Sequence, residues 1–285
     1  MIGVFDSGHG GLTVQAVFGT RFPDQDFTYL GDHLHAPYGA QSTKAVLAHT
    51  RAGIERLFDE GCRLVIVACN TAAAIALRSL QQDWLPHHFP ERRILGVIVP
   101  VVEAITHVPW AIREVSLDRP GEPLTVGIFG TVNTVESMTF PVEIAKRAPA
   151  VKVVQQACPE LAGAIEAGAG DAELAALVER YVAALLLSLE GEALDVVVLG
   201  CTHFPLVSTL FGRFLPAGVK VLSQPDLVAA SLHEYLRRHP EFRISGADPN
   251  IRRQCRFLTT GDPVYVTGIA GRFLGRGVIF TAPRY

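Results

Sequence analysis

The chain has 285 residues, a formal net charge of -3 at pH 7, and 49% hydrophobic against 19% charged side chains, which suits one or two packed α/β domains rather than a disordered or extended chain. That charge leaves no overall basic field to attract nucleic acid, and no charged tail is present. The longest apolar runs stop well short of the roughly 20 residues a membrane helix needs, so neither nucleic acid nor a membrane is an expected partner.

Short β-branched runs alternate with longer helical patterns along the whole chain, the signature of βα units feeding a mostly parallel sheet. A strand expected at 2–5 follows a start without the basic segment of a signal peptide. It runs into the glycine-rich turn Asp6-Ser7-Gly8-His9-Gly10-Gly11. A second strand at 27–30 precedes His33, His35 and Pro37-Tyr38-Gly39. A helix at 44–60, a strand at 64–68 ending at Cys69, a helix at 71–81 and a strand at 94–97 follow. Residues 113–123, with Pro120, Gly121 and Pro123, read as a surface loop near a domain boundary. Beyond it come a strand at 125–129, a helix at 132–146, a strand at 151–155, a helix at 172–189, a strand at 196–199 leading to Cys201, a strand at 219–222 and a helix at 225–238. The stretch 237–256 holds six arginines around Phe242 and reads as solvated surface, since no nucleic-acid-binding motif accompanies it.

A weak repeat divides the chain. Residues 2–7, Ile-Gly-Val-Phe-Asp-Ser, resemble 126–131, Val-Gly-Ile-Phe-Gly-Thr, and the run into Cys69 resembles the run into Cys201. Each half therefore offers one strand ending at a hydroxyl residue and another ending at a cysteine. Ligands of parallel α/β sheets bind beyond the carboxyl ends of strands, so all four ends are candidate site positions, and two facing halves would put a cysteine on either side of one ligand.

Cys69, directly after a strand and at a helix start, is expected to feel the positive end of the helix dipole, which favours the thiolate. Cys201 has His203 two residues on as a proton relay or charge partner. Cys62 and Cys255 read as small buried hydrophobes, and Cys158 fits either role. An odd number of cysteines without small-domain spacing points to free thiols in a reducing, cytoplasmic compartment. The glycine turn matches neither common nucleotide motif; Asp6 would oppose an anion there and suits orienting a thiol or an ammonium group. Ser7, Asn70, Thr71, Thr131, Thr134 and Thr202 form an uncharged hydrogen-bonding set suited to a small zwitterion, though each taken singly serves equally well as a helix N-cap. No ligand spacing for a metal is present, and His33 and His35 read as loop residues.

With these residues the chain resembles the glutamate racemases of the aspartate/glutamate racemase superfamily. The matching stretches are 5–14, Gly31-Asp32 with Pro37-Tyr38-Gly39, 68–72, 96–100, Gly130-Thr131 with Thr134-Val135, 199–206 and 259–262. The resemblance implies two pseudo-symmetric α/β domains, residues 1–97 with 208–285 and residues 98–207, with the site between them. It implies racemisation of glutamate for peptidoglycan without cofactor or metal, one cysteine removing the α-proton while the other delivers a proton to the opposite face. Carried over residue by residue, Cys69 acts on D-glutamate with Asp6, and Cys201 on L-glutamate with His203 and Glu166. Ser7, Pro37, Tyr38, Gly39, Asn70, Thr71, Thr131, Thr134 and Thr202 hold the substrate. Departures from the family pattern stand at His33, His35, Glu160 and Gln224. A related aspartate or hydantoin racemase, and a non-catalytic amino-acid-binding or regulatory protein, are the competing readings; oligomeric state stays open, a homodimer among the options.

Overall fold

Residues 2–6 are buried throughout, as a strand must be at the centre of a parallel sheet covered by helices on both faces. In the computed structural model, which describes residues 1–110, 124–243 and 255–283, this strand, β1 (Ile2–Asp6), pairs in parallel with β2 (Phe27–Gly31) and β3 (Leu64–Val67). β4 (Arg93–Gly96) continues the sheet beyond β3. A second parallel sheet is built from β5 (Leu124–Gly130), β6 (Val151–Ala157), β7 (Val196–Gly200) and β8 (Lys220–Leu222). The chain then returns to the first sheet, where β9 (Cys255–Thr259) pairs with β2 and β10 (Phe280–Thr281) with β9.

The strand orders are β10-β9-β2-β1-β3-β4 and β6-β5-β7-β8. Without β9 and β10 the two are the same order, which is the repeat seen in the sequence turned into architecture. Parallel register then aligns the strand ends: Asp6 lies opposite Gly31, Phe5 opposite Val67, and Gly130 opposite both Ala157 and Gly200. Ser7 and Cys69 therefore leave one sheet at a single edge, and Thr131, Cys158 and Cys201 leave the other in the same way.

Several expectations are corrected. The helix expected at 132–146 is two, Val132–Glu136 and Thr139–Ala145, broken at Met138 with φ 54; Pro141 has no N–H for the Ser137 carbonyl and would clash with it in a continuous helix. The helix expected at 71–81 is Asn70–Ile75 followed by further helical turns to His88, where Pro86 sits at the start of the last piece and is tolerated. β9 runs through residues expected to be solvated surface: Arg256 is half-buried and donates to the buried Glu60 carboxylate, and Phe242 is buried beneath the Arg63 guanidinium. Arg237 conforms to expectation, pairing with Glu234 at the surface, whereas Arg252 and Arg253, like the loop at 113–123, lie outside the described residues. β8, which the expected boundary at 207 gives to the first domain, pairs with β7 of the second sheet, because Val221 finds its partner on that open edge. No helix among the described residues is long and apolar enough to cross a membrane.

Candidate active site

Beyond β1 the glycine turn closes on its own aspartate. The Gly8 N–H donates to Asp6 Oδ1 at 2.9 Å, so the donors that might have cradled a phosphate hold the Asp6 carboxylate instead. Burial pushes Asp6 up to about 6, against the pull of the His203 charge and of the Gly8 and Gly11 N–H groups. Ser7 Oγ hydrogen-bonds with Cys69 Sγ at 3.5 Å. Cys69 caps helix Asn70–Ile75, its sulfur accepting from the Ala72 N–H. The thiolate expected from that helix N-terminus is overruled: burial pushes the Cys69 thiol up to about 12, and the charge of Asp6 adds to it. Six helical residues and one long N–H contact do not offset full burial beside a carboxylate, so Cys69 rests as a thiol.

Cys201 has different company. Its sulfur lies 3.8 Å from His203 Nδ1, and His203 Nε2 is hydrogen-bonded to Glu166 Oε2. Glu166, on helix Leu161–Ala167 beyond β6, gives its other oxygen to His9 Nδ1. Burial resists a charge on His203, yet the contacts with Cys201 and Glu166 raise it to about 10, an imidazolium at neutral pH. Burial likewise resists ionisation of Glu166, but the two histidines hold its carboxyl well below the usual carboxylate range. Gly10 makes this approach possible, since a Cβ there would stand 2.3 Å from Thr202 Oγ1 and 2.5 Å from His203 Nδ1. Cys201 adds to the upward push on Cys69, so the two sulfurs are in each other's field.

The expected binding residues divide into two sets. Thr71, Thr131 and Thr134 converge, with Thr71 Oγ1 at 2.9 Å from Thr131 Oγ1 and 3.3 Å from Thr134 Oγ1, joining an element of each sheet. Thr131 also caps helix Val132–Glu136. Thr202 Oγ1 donates to Asp6 Oδ2 at 3.3 Å, and Gly39 packs directly on Thr131. Asn70 and Tyr38 instead have their side chains engaged elsewhere. Asn70 exchanges two hydrogen bonds with Gln224 at 2.7 and 2.9 Å, which explains the buried Gln224 as its partner. The Tyr38 hydroxyl donates to Asp32 at 2.6 Å, beyond the cis Ala36–Pro37 bond.

Asp32, His35 and His49 form the one cluster of metal-ligand type among the described residues. The Asp32 carboxylate already accepts from Tyr38, Thr260 and His35, so it ties down this loop. Glu160 faces solvent in an ion pair with Arg180. All five cysteines are free; Cys62 is fully buried and Cys255 half-buried. Cys158 is buried near Cys201, whose field joins burial in pushing its thiol up.

Sequence reasoning gave no site role to His9, Asn133 or Asp32. Asn133 Nδ2 donates to the carbonyls of Tyr38 and Gln41, both at 2.8 Å, holding the 37–41 loop to the second sheet. An imidazole inside a glycine-rich turn was the one local signal for His9, since glycine turns gain nothing from a bulky ring.

No family model matches the chain. Curated relatives do: the glutamate racemase of Phenylobacterium zucineum is 45% identical over 287 residues, covering 98% of each chain, and that of Paracoccus denitrificans 46% identical over 284 residues, again 98% of each. A crystal structure of a glutamate racemase isoform from Bacillus anthracis is similar with a TM-score of 0.83 at 30% identity, covering 99% of this chain and 96% of that one.

Proposed function

The chain belongs to the glutamate racemase family, and we propose that it interconverts L- and D-glutamate by a two-base reaction on Cys69 and Cys201, supplying D-glutamate for peptidoglycan in the cytoplasm. The observation that carries this reading is the equivalence of the two thiols: each follows the corresponding strand of its sheet, and each is in the other's field.

With L-glutamate bound, the Cys201 thiolate takes the α-proton, forming S–H as the C–H bond breaks, and the electron pair is held on the α-carbon beside its carboxylate. The Cys69 thiol gives its proton to the opposite face and is left as a thiolate. With D-glutamate the roles reverse, and in either direction one proton leaves carbon and one arrives. The His203 imidazolium, held by Glu166, stabilises negative charge on Cys201. Asp6, buried and pushed up to about 6, keeps Cys69 protonated until the carbanion calls for its proton. Ser7 and the hydroxyls of Thr71, Thr131, Thr134 and Thr202 hold the substrate's carboxylates, with Asn70 and residues 37–39 shaping the walls. The test is α-proton exchange: purified protein without added cofactor should wash deuterium from heavy water into both enantiomers of glutamate, and an absence of exchange overturns the reading.

A further inference from the structure

His9 is almost completely buried in the turn after β1, where the backbone has no need of an imidazole. Its Nε2 faces the Val266 carbonyl at 3.0 Å; a carbonyl only accepts, so Nε2 carries a hydrogen. Its Nδ1 meets Glu166 Oε1, while His203 takes Glu166 Oε2. One carboxylate is thus gripped by a histidine on each oxygen. A continuous chain of polar contacts runs from the Val266 carbonyl through His9, Glu166 and His203 to the Cys201 sulfur.

We infer that His9 is a positioning residue for Cys201: it clamps Glu166, so that Glu166 fixes His203, and His203 the Cys201 sulfur, in the orientation and charge state that proton abstraction needs. This rests on the proposed role of Cys201 as an acid–base group. Without His9, Glu166 keeps one donor and, being about a third exposed, turns its free oxygen to water.

The surroundings of His9 leave Glu166 as its one ionised contact. His33 lies edge-on at 4.3 Å between ring centres, but burial pushes it down to about 4, and its Nδ1 is turned to the Gly31 carbonyl and the Thr259 hydroxyl, so it is neutral. From helix Pro263–Leu274 come the Val266 carbonyl and the Phe273 ring, stacked at 5.3 Å, and from β10 the Phe280 ring, all uncharged. Arg272 of that helix packs at Gly168, where the helix bearing Glu166 ends. Tyr29 has its hydroxyl on the Gly8 carbonyl. The His203 imidazolium lies across Glu166, and Asp6 faces Gly8 and Thr202.

A Glu166 carboxylate shared with one histidine instead of two grips the remaining proton harder, so His203 keeps its charge to higher pH. His9→Leu should lower kcat/KM about tenfold, the modest end of acid–base effects, and move the basic limb of its pH profile upward while leaving the acid limb in place. His9→Asn, which retains a donor near the Nδ1 position, should recover most of the loss. In a Glu166→Gln background, His9→Leu should add no further loss. A wild-type pH profile in His9→Leu, or an equal loss in both backgrounds, overturns the inference. If His9→Leu does not fold, His9→Ala, which also lacks the donor, decides in its place in the two backgrounds: equal losses overturn the inference, and a loss confined to the Glu166 background supports it. Failure of the underlying reading looks different, as a fully active Cys201→Ala, and defeats both.

Discussion

Cys69 and Cys201 leave equivalent strands, but the chain that follows each differs. After β3 a helix begins at Asn70, and Cys69 caps it. After β7 the chain turns through Thr202 and His203 into the short 3-10 turn Phe204–Val207, with Pro205 near its start, before the next helix. The turn gives Cys201 a histidine neighbour that the helix denies Cys69. The carboxylates follow suit. Asp6, on the Cys69 side, is buried with N–H donors and pushed up; Glu166, on the Cys201 side, is gripped by two histidines and held down. The two-base reaction proposed above needs one sulfur charged and the other protonated, and this inequality favours the proton on Cys69.

The largest expected effect tests the comparison at its root. Cys69→Ala and Cys201→Ala should each abolish racemisation, measured by polarimetry or a coupled D-glutamate assay, while glutamate binding by calorimetry persists; full activity in either refutes the paired roles. Alkylation mapped by mass spectrometry sharpens it, because the two sulfurs belong to residues 5% and 6% exposed and access alone does not separate them. Cys69, whose thiol burial pushes up to about 12, should be modified only in strong base, and Cys201 before it.

A smaller effect concerns stability. Folded Asp6 holds its proton more tightly than the unfolded chain does, so it favours the fold below about pH 4, and that contribution is lost as pH rises through about 6, about 3 kcal/mol in all. Asp6→Asn removes the dependence. Urea unfolding should therefore show wild type losing ground to the variant between about pH 4 and pH 7; an advantage that grows over that range contradicts the assignment. Glu166 titrates in the opposite sense, its contribution present in neutral solution and lost in acid.

The smallest effects separate two departures from the family pattern. Gln224→Ala leaves the buried Asn70 amide without its partner and should cost about 1–3 kcal/mol. Glu160→Ala removes only an exposed ion pair and should cost about 0–1 kcal/mol. Thermal melts of the two variants side by side decide it.

Much of this was legible in the residues. Cys69 and Cys201 stood out because strands of buried β-branched residues announce where they end, and the repeat announced that two such ends correspond. Glu166 was reached through the resemblance, and the structure puts it on His203. β9 was hidden because Arg256 sits on it, and its partner Glu60 is far away in the chain. His9 was hidden for the same kind of reason: its meaning lies in Glu166 and Val266, contacts that no local pattern encodes. The charge state of Cys69 was misread because a helix start is visible in sequence while burial beside Asp6 is not.

The return of the chain to β2 also bears on how the protein is made. A ribosome delivers residues 27–31 long before residues 255–259, their sheet partners, so β2 waits at an open edge through most of synthesis. Pairing across so much chain is slow, and an unpaired edge invites association with other nascent chains. His9 waits too, since Val266 and Phe273 arrive after β9. In the proposed reaction the His9 clamp behind Cys201 is therefore completed only by a segment translated late, so activity would report that synthesis has passed it.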